Sequence, residues 1–106
     1  MSNVWPNKDP DESLDYSVDW SRFLRTGLTL SSVQWYVDDA DGVKTLISGG
    51  DIVNGIQNIA QTSTDTVATI NLGLGTNNKE YKFYCRIVDS TGSQAERVVK
   101  LRVKER

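Results

Sequence analysis

The feature that most constrains this chain is a two-residue hydrophobic period that returns in block after block. In residues 14–20, Leu14, Tyr16, Val18 and Trp20 alternate with Asp15, Ser17 and Asp19. In 66–74, Ala68, Ile70, Leu72 and Leu74 share one parity. In 81–88, Tyr81, Phe83, Cys85 and Ile87 alternate with Lys82, Tyr84, Arg86 and Val88. In 98–104, Val99, Leu101 and Val103 alternate with Val98, Lys100, Arg102 and Lys104. Successive side chains of a strand point to opposite faces, so this period describes strands with one buried and one wet face.

Turn residues separate the blocks: Asp38-Asp39-Ala40-Asp41-Gly42, Ser48-Gly49-Gly50-Asp51, Gly75-Thr76-Asn77-Asn78 and Asp89-Ser90-Thr91-Gly92-Ser93-Gln94. About seven short strands so punctuated predict an all-β fold, an antiparallel β-sandwich. Trp35 in mid-strand and Tyr81 at the start of the penultimate strand suit an immunoglobulin-like version, Tyr81 as a tyrosine corner. The 89–94 loop exceeds a two-residue turn and is expected to protrude.

Three places break the pattern. Leu28 and Leu30 are even while Val33, Trp35 and Val37 are odd, so the apolar parity switches at Ser31-Ser32. A continuous strand would put half that set in water, which predicts a bulge or a change of sheet there. Ile52, Ile56, Ile59 and Ala60 have roughly helical spacing interrupted by Asn54-Gly55, and read as irregular or short strand. Residues 62–65 read as loop. Ser21-Arg22-Phe23-Leu24 reads as a short helical turn capped by Asp19 or Ser21, with Gly27 turning the chain back.

Residues 1–12 hold both prolines, Pro6 and Pro10, and no strand or helix period. They read as an extended arm on a sandwich of residues 13–106. Trp5 is the exception in this polar stretch. It docks either on its own domain or on a neighbouring subunit.

Composition removes whole classes of function. The 106 residues contain no His and one Cys, so no Ser-His-Asp triad, Cys-His dyad or Cys/His zinc site can be assembled. Net charge is −2 and the pI is near 5.0, which gives no long-range attraction for nucleic acid. No apolar run approaches the roughly 20 residues of a membrane span. The Met1-Ser2-Asn3 start has neither basic stretch nor apolar core, which predicts no secretory signal and synthesis in a cytoplasm. Cys85 lies on an apolar face and is expected to be a buried, unreactive thiol.

Asp38, Asp39, Asp41 and Gly42 have some of the makings of a calcium loop, but Val37 stands where an EF-hand needs a ligand and the flanks are strands. A solvated turn is the reading adopted. The acids Asp9, Asp11, Glu12 and Asp15 solvate the arm or pair with a partner. Ser48-Gly49-Gly50 and Gly73-Leu74-Gly75 lack the helix and the Lys of a phosphate loop. Lys100, Arg102, Lys104 and Arg106 share one face of the last strand, as a solvated face that discourages edge pairing. Acidic arm and basic terminal strand together suggest head-to-tail contact between copies, with Trp5 as anchor. The candidate partner contacts are therefore Trp5, Pro6, Lys8, Asp9, Asp11, Arg102 and Lys104, with no catalytic, cofactor or metal residue. A sugar-binding alternative would use exposed aromatics such as Tyr84; Trp20 and Trp35 lie on apolar faces and read as core.

Two stretches together resemble a known family. One is Lys8-Asp9-Pro10-Asp11-Glu12-Ser13-Leu14-Asp15-Tyr16-Ser17-Val18-Asp19-Trp20-Ser21, followed by Leu24 and Trp35. The other is Tyr81 to Val103, a hairpin with Thr91-Gly92 at its tip, Glu96-Arg97 after it, and Leu101 and Val103 closing it. Over residues 8 to 104 the chain resembles small virion proteins of tailed bacteriophages and prophages, described as fibre–tail adaptors. The resemblance implies a non-enzymatic structural part of a virion, made in the bacterial host cytoplasm and bridging other virion proteins in several symmetric copies. It implies no cofactor, no nucleic acid and no membrane. Head decoration, or a carbohydrate- or host-surface-binding module, are the alternatives.

Overall fold

The computed structural model describes residues 3–105, so the reading placed on Arg106 lies outside the described residues. Among the described residues nine strands form two packed sheets: β1 (Asn3–Val4), β2 (Leu14–Asp19), β3 (Leu30–Asp38), β4 (Lys44–Leu46), β5 (Ile52–Val53), β6 (Ile56–Ser63), β7 (Val67–Leu74), β8 (Lys79–Asp89) and β9 (Gln94–Val103). One sheet has the order β1-β9-β8-β3-β4, the other β2-β7-β6-β5. Among the described residues the strand pairings are antiparallel except β1 on β9, which a parallel bridge of Lys8 to Val103 continues. The predicted sandwich is borne out, with the two two-residue strands β1 and β5 added to the seven longer ones.

The predicted faces supply most of the core, to which Trp5, Leu24, Ile47 and Ile56 are added. Tyr16, Val18, Trp20, Trp35, Val37, Ala68, Ile70, Leu72, Tyr81, Phe83, Cys85, Ile87, Val99, Leu101 and Val103 are all buried. Burying such side chains contributes roughly 1.5–3 kcal/mol for each large aliphatic or aromatic one, which is what holds two thin sheets together. Leu74 departs from its face. It is exposed at positive φ, where β7 ends.

The parity switch at Ser31-Ser32 is a real irregularity: the β3–β8 register shifts between Leu30 and Ser32. Leu30 thereby stays against the core while Trp35 and Val37 point into it. The segment 52–63 differs from expectation. Asn54 (φ 53°) and Gly55 (φ 84°) form the two-residue turn of a tight hairpin, since both positions need the left-handed region that Asn and Gly tolerate. β6 then runs on to Ser63 and bulges between Asn58 and Ala60. The bulge throws Ile59 outward and turns Asn58 fully inward, where its amide donates to Ile47 O and to Gln61 Oε1, both at 2.9 Å. Helix-like spacing in the sequence was the footprint of a bulged strand.

The predicted turn at 21–24 is a single turn without a helix. Phe23 N and Leu24 N donate to Trp20 O, and Ser21 N donates to Asp19 Oδ1 at 2.9 Å, so Asp19 is the cap. Tyr81 donates its phenol to Asn54 O and accepts from Thr76 N, tying the start of β8 to the β5–β6 turn and to the turn that precedes β8.

The β8–β9 loop, whose residues 90–94 are exposed, is held by hydrogen bonds at its base. Asp89 Oδ1 accepts from Thr91 N (2.8 Å), Thr91 Oγ1 (2.6 Å) and Ser93 N (3.0 Å), and Ser90 N donates across to Thr29 O. These bonds, the Thr91 hydroxyl first, hold the Asp89 carboxyl below its ordinary 3.8. A carboxylate with a depressed folded pKa stabilises the fold fully above its unfolded value and loses that effect as pH falls through the folded one. Asp89→Asn is therefore expected to lower the urea midpoint at pH 7 and to flatten its fall below about pH 4. Urea titrations at pH 7, 5 and 3 check this; parallel curves for the two proteins would refute the role of the charge.

Candidate interaction surfaces

The arm lies on its own sandwich. β1 pairs in parallel with β9, Asn3 opposite Val99 and Val4 opposite Lys100. Beyond it, Trp5 N donates to Lys100 O (2.9 Å), Lys8 N to Arg102 O (3.0 Å), and Lys104 N back to Lys8 O (2.8 Å). The sequence suggested an arm-on-strand contact between copies; what the structure holds is main-chain pairing of the arm with the terminal strand inside one chain.

Two side chains of the arm cross from this sheet to the other. Trp5, 7% exposed, stacks on Tyr16 with centroids 4.9 Å apart and donates its indole N–H to Ser17 O on β2. Lys8, fully buried, donates its ammonium to Leu74 O at the end of β7 (2.6 Å) and to Asp9 O (2.8 Å). Burial lowers the Lys8 pKa from 10.5, against the opposing pull of Glu12, Asp9 and Asp11. After Lys8, Asp9 N donates to Glu12 Oε1, Glu12 N to Asp9 O and Asp11 N to Asp9 Oδ1, closing a tight turn.

Of the seven candidate contact residues, Trp5 and Lys8 are therefore interior and hold the arm. Pro6, Asp11, Arg102 and Lys104 are exposed and Asp9 half-buried along the same edge.

Sequence reasoning missed a second surface, the outer face of the β1-β9-β8-β3-β4 sheet. Register sets Tyr36 opposite Tyr84, Gln34 opposite Arg86, Asp38 opposite Lys44 and Arg86 opposite Glu96. Lys44 lies 5.0 Å from the Tyr36 ring centre and 4.8 Å from that of Tyr84; Arg86 lies 4.8 Å from Tyr36 and Lys82 5.5 Å from Tyr84. Glu96 ion-pairs with both Lys44 and Arg86. Tyr84 donates to Asp38 Oδ1 at 2.8 Å, and burial, then this bond, push its phenol up to about 12. The signal was the wet parity of 82–88 with its two tyrosine neighbours, but only cross-strand register assembles it.

The remaining candidates are elsewhere. Asp39 Oδ1 accepts from Asp41 N and Val43 N as a turn cap, and Asp38 serves Tyr84. Among the described residues no three His, Cys, Asp or Glu are grouped to hold a metal ion. Cys85 is a buried free thiol, pushed up to about 11 by burial, as expected of an unreactive core residue. Among the described residues no helix is long and apolar enough to cross a membrane.

The chain is thus a small β-sandwich that presents two polar surfaces, an edge and a sheet face. It belongs to the family described as Podophage GP4 fiber-tail adaptor protein gp77, which it matches over residues 8–102. No curated protein sequence matches it. The match begins at Lys8, the residue that stitches the arm to the second sheet.

Proposed function

We propose that this protein is a non-enzymatic structural part of a tailed-phage virion that bridges fibre and tail proteins. The arm, residues 1–12, acts as the docking element and residues 13–106 as its rigid support. The observation that carries the reading, beside the family, is the convergence of arm and terminal strand on one edge. There Pro6, Asp9, Asp11, Arg102 and Lys104 form the contact surface, while Trp5 and Lys8 fix its shape from inside. A preorganised edge docks with less ordering cost than a loose tail. Repetition of one modest contact in several symmetric copies raises its avidity, so each copy needs no large interface.

The sandwich is immunoglobulin-like in this reading. Its support is the neighbour order β9-β8-β3-β4 opposite β2-β7-β6, which follows the G-F-C-C′ and B-E-D arrangement. Trp35 on β3 and the Tyr81 phenol bound five residues upstream fit the same pattern. The protein is made in the host cytoplasm and works in the particle, without nucleic acid or cofactor.

The test is rebinding to purified particles that lack this protein. Wild type is expected to rejoin them, and a triple variant Asp11→Lys, Arg102→Glu, Lys104→Glu to rejoin at least about tenfold less well, its fold unchanged because all three side chains are exposed. Wild type that fails to rejoin particles, or binds a host polysaccharide instead, would overturn the adaptor reading.

A further inference from the structure

On the outer sheet face the register sets Lys82 of β8 directly opposite Lys100 of β9, with Arg102 next along β9 opposite Glu80. Like charges at directly opposed positions destabilise a sheet, and an opposite charge on either strand would have relieved this pair. Among the described residues Lys82, Lys100 and Arg102 form no ion pair. The carboxylates of the neighbouring cluster are engaged: Glu96 by Lys44 and Arg86, Asp38 by Tyr84.

Protection of a sheet edge accounts for cations on β9 and beyond it, where the sheet ends in the two-residue β1. It does not account for Lys82, which stands on an interior strand between β9 and β3. Three cations to one carboxylate give this strip a local excess of positive charge on a chain whose net charge is −2.

We infer that this strip is a docking site for an acidic, extended segment of a partner virion protein, running across Lys82, Lys100 and Arg102. The inference rests on the adaptor reading only for the word virion; the acid-binding chemistry belongs to the strip itself. Carboxylates on such a segment supply the charge that the opposed lysines lack. Nucleic acid fits less well. Single-stranded binding sites offer bare aromatic faces for stacking, whereas cations already lie over the Tyr36 and Tyr84 rings.

The experiment uses the full chain and a synthetic peptide of alternating Asp and Ser, read by fluorescence anisotropy at low and high salt. Wild type is expected to bind it, with affinity falling as salt rises. Lys82→Ser with Lys100→Ser should weaken binding about fivefold or more. Lys100→Glu should weaken it further while leaving the thermal midpoint unchanged or raised, because it replaces a repulsive pair by an attractive one. A purely structural role for the lysines would move stability and leave binding alone.

Equal binding by wild type and variants, or no binding by wild type, overturns the inference. So does an unrelated single-stranded DNA that binds more tightly than the peptide and loses affinity in the same variants. The same proteins are tested for particle rebinding. Particles rejoined by all variants, with no peptide bound, refute the strip and leave the adaptor reading standing. Peptide bound by wild type alone, with no particle rejoined, refutes the adaptor reading and leaves the strip.

Discussion

Trp5→Ala is expected to lower the thermal midpoint by about 15–25 °C, a loss of about 3–5 kcal/mol for a buried tryptophan cut back to alanine. The side chain sits where the edges of the two sheets meet. It stacks on Tyr16 and lies 5.8 Å from Trp35 and 5.6 Å from Phe83, centre to centre. Its removal opens a cavity bounded by both sheets, which neither can fill without the other moving. A domain of this size has about 5–15 kcal/mol in all, so one residue near the start of the chain holds a large part of it. Trp5→Phe keeps an aromatic ring in place but loses part of the indole's packing and its bond to Ser17 O, at a smaller cost of about 1–2 kcal/mol. Calorimetry on the three proteins checks the order. A Trp5→Ala protein melting within about 2 °C of wild type, where a truly exposed side chain would leave it, would show that the arm does not pack in cis.

That expectation could not be drawn from the sequence, and the reason is physical. A strand buried on one face announces itself by period, as residues 14–20 and 81–103 do, because every second side chain must be apolar. An arm that adds to a sheet edge through its main chain has no such requirement. β1 is two residues long, and Val4 stays exposed, so its pairing with β9 left one tryptophan as its trace. The sequence therefore identified Trp5 as an anchor and left open whether its own chain or a neighbour receives it.

The two bulges make the same point from opposite sides. At Ser31-Ser32 small polar residues mark the place where apolar parity changes, so the irregularity was legible. At Ile59 the extra residue is itself apolar, and the inward position falls to a polar one, Asn58. A pattern argument that equates apolar with inward misreads such a stretch. The Asn54-Gly55 pair was the better guide, since only a hairpin turn needs two successive residues at positive φ there. The sheet face around Tyr36 and Tyr84 was illegible for another reason. Its pairs are set by register between β3, β8, β9 and β4, and single-strand patterns contain no register.

Lys8 gives physical content to the Lys8-Asp9-Pro10-Asp11-Glu12 string at which the family match begins. The last four residues make a turn closed by Asp9 and Glu12, and the first sends its ammonium under that turn to the opposite sheet. Lys8→Glu is expected to be among the most destabilising single changes in the protein, about 3–5 kcal/mol, because a carboxylate would be buried against two carbonyl oxygens with no donor. Lys8→Met fills the same space without charge and leaves Leu74 O and Asp9 O without this donor, for about 1–3 kcal/mol. The pH dependence has a definite sign. The folded pKa is depressed, so the cost of burying the ammonium is fully present below that value and fades as pH rises toward 10.5. Wild type should therefore gain stability relative to Lys8→Met between neutral pH and about pH 10. Urea midpoints at pH 7 and pH 10 measure both effects. A Lys8→Glu protein as stable as wild type would mean that the ammonium reaches water and does not hold the arm.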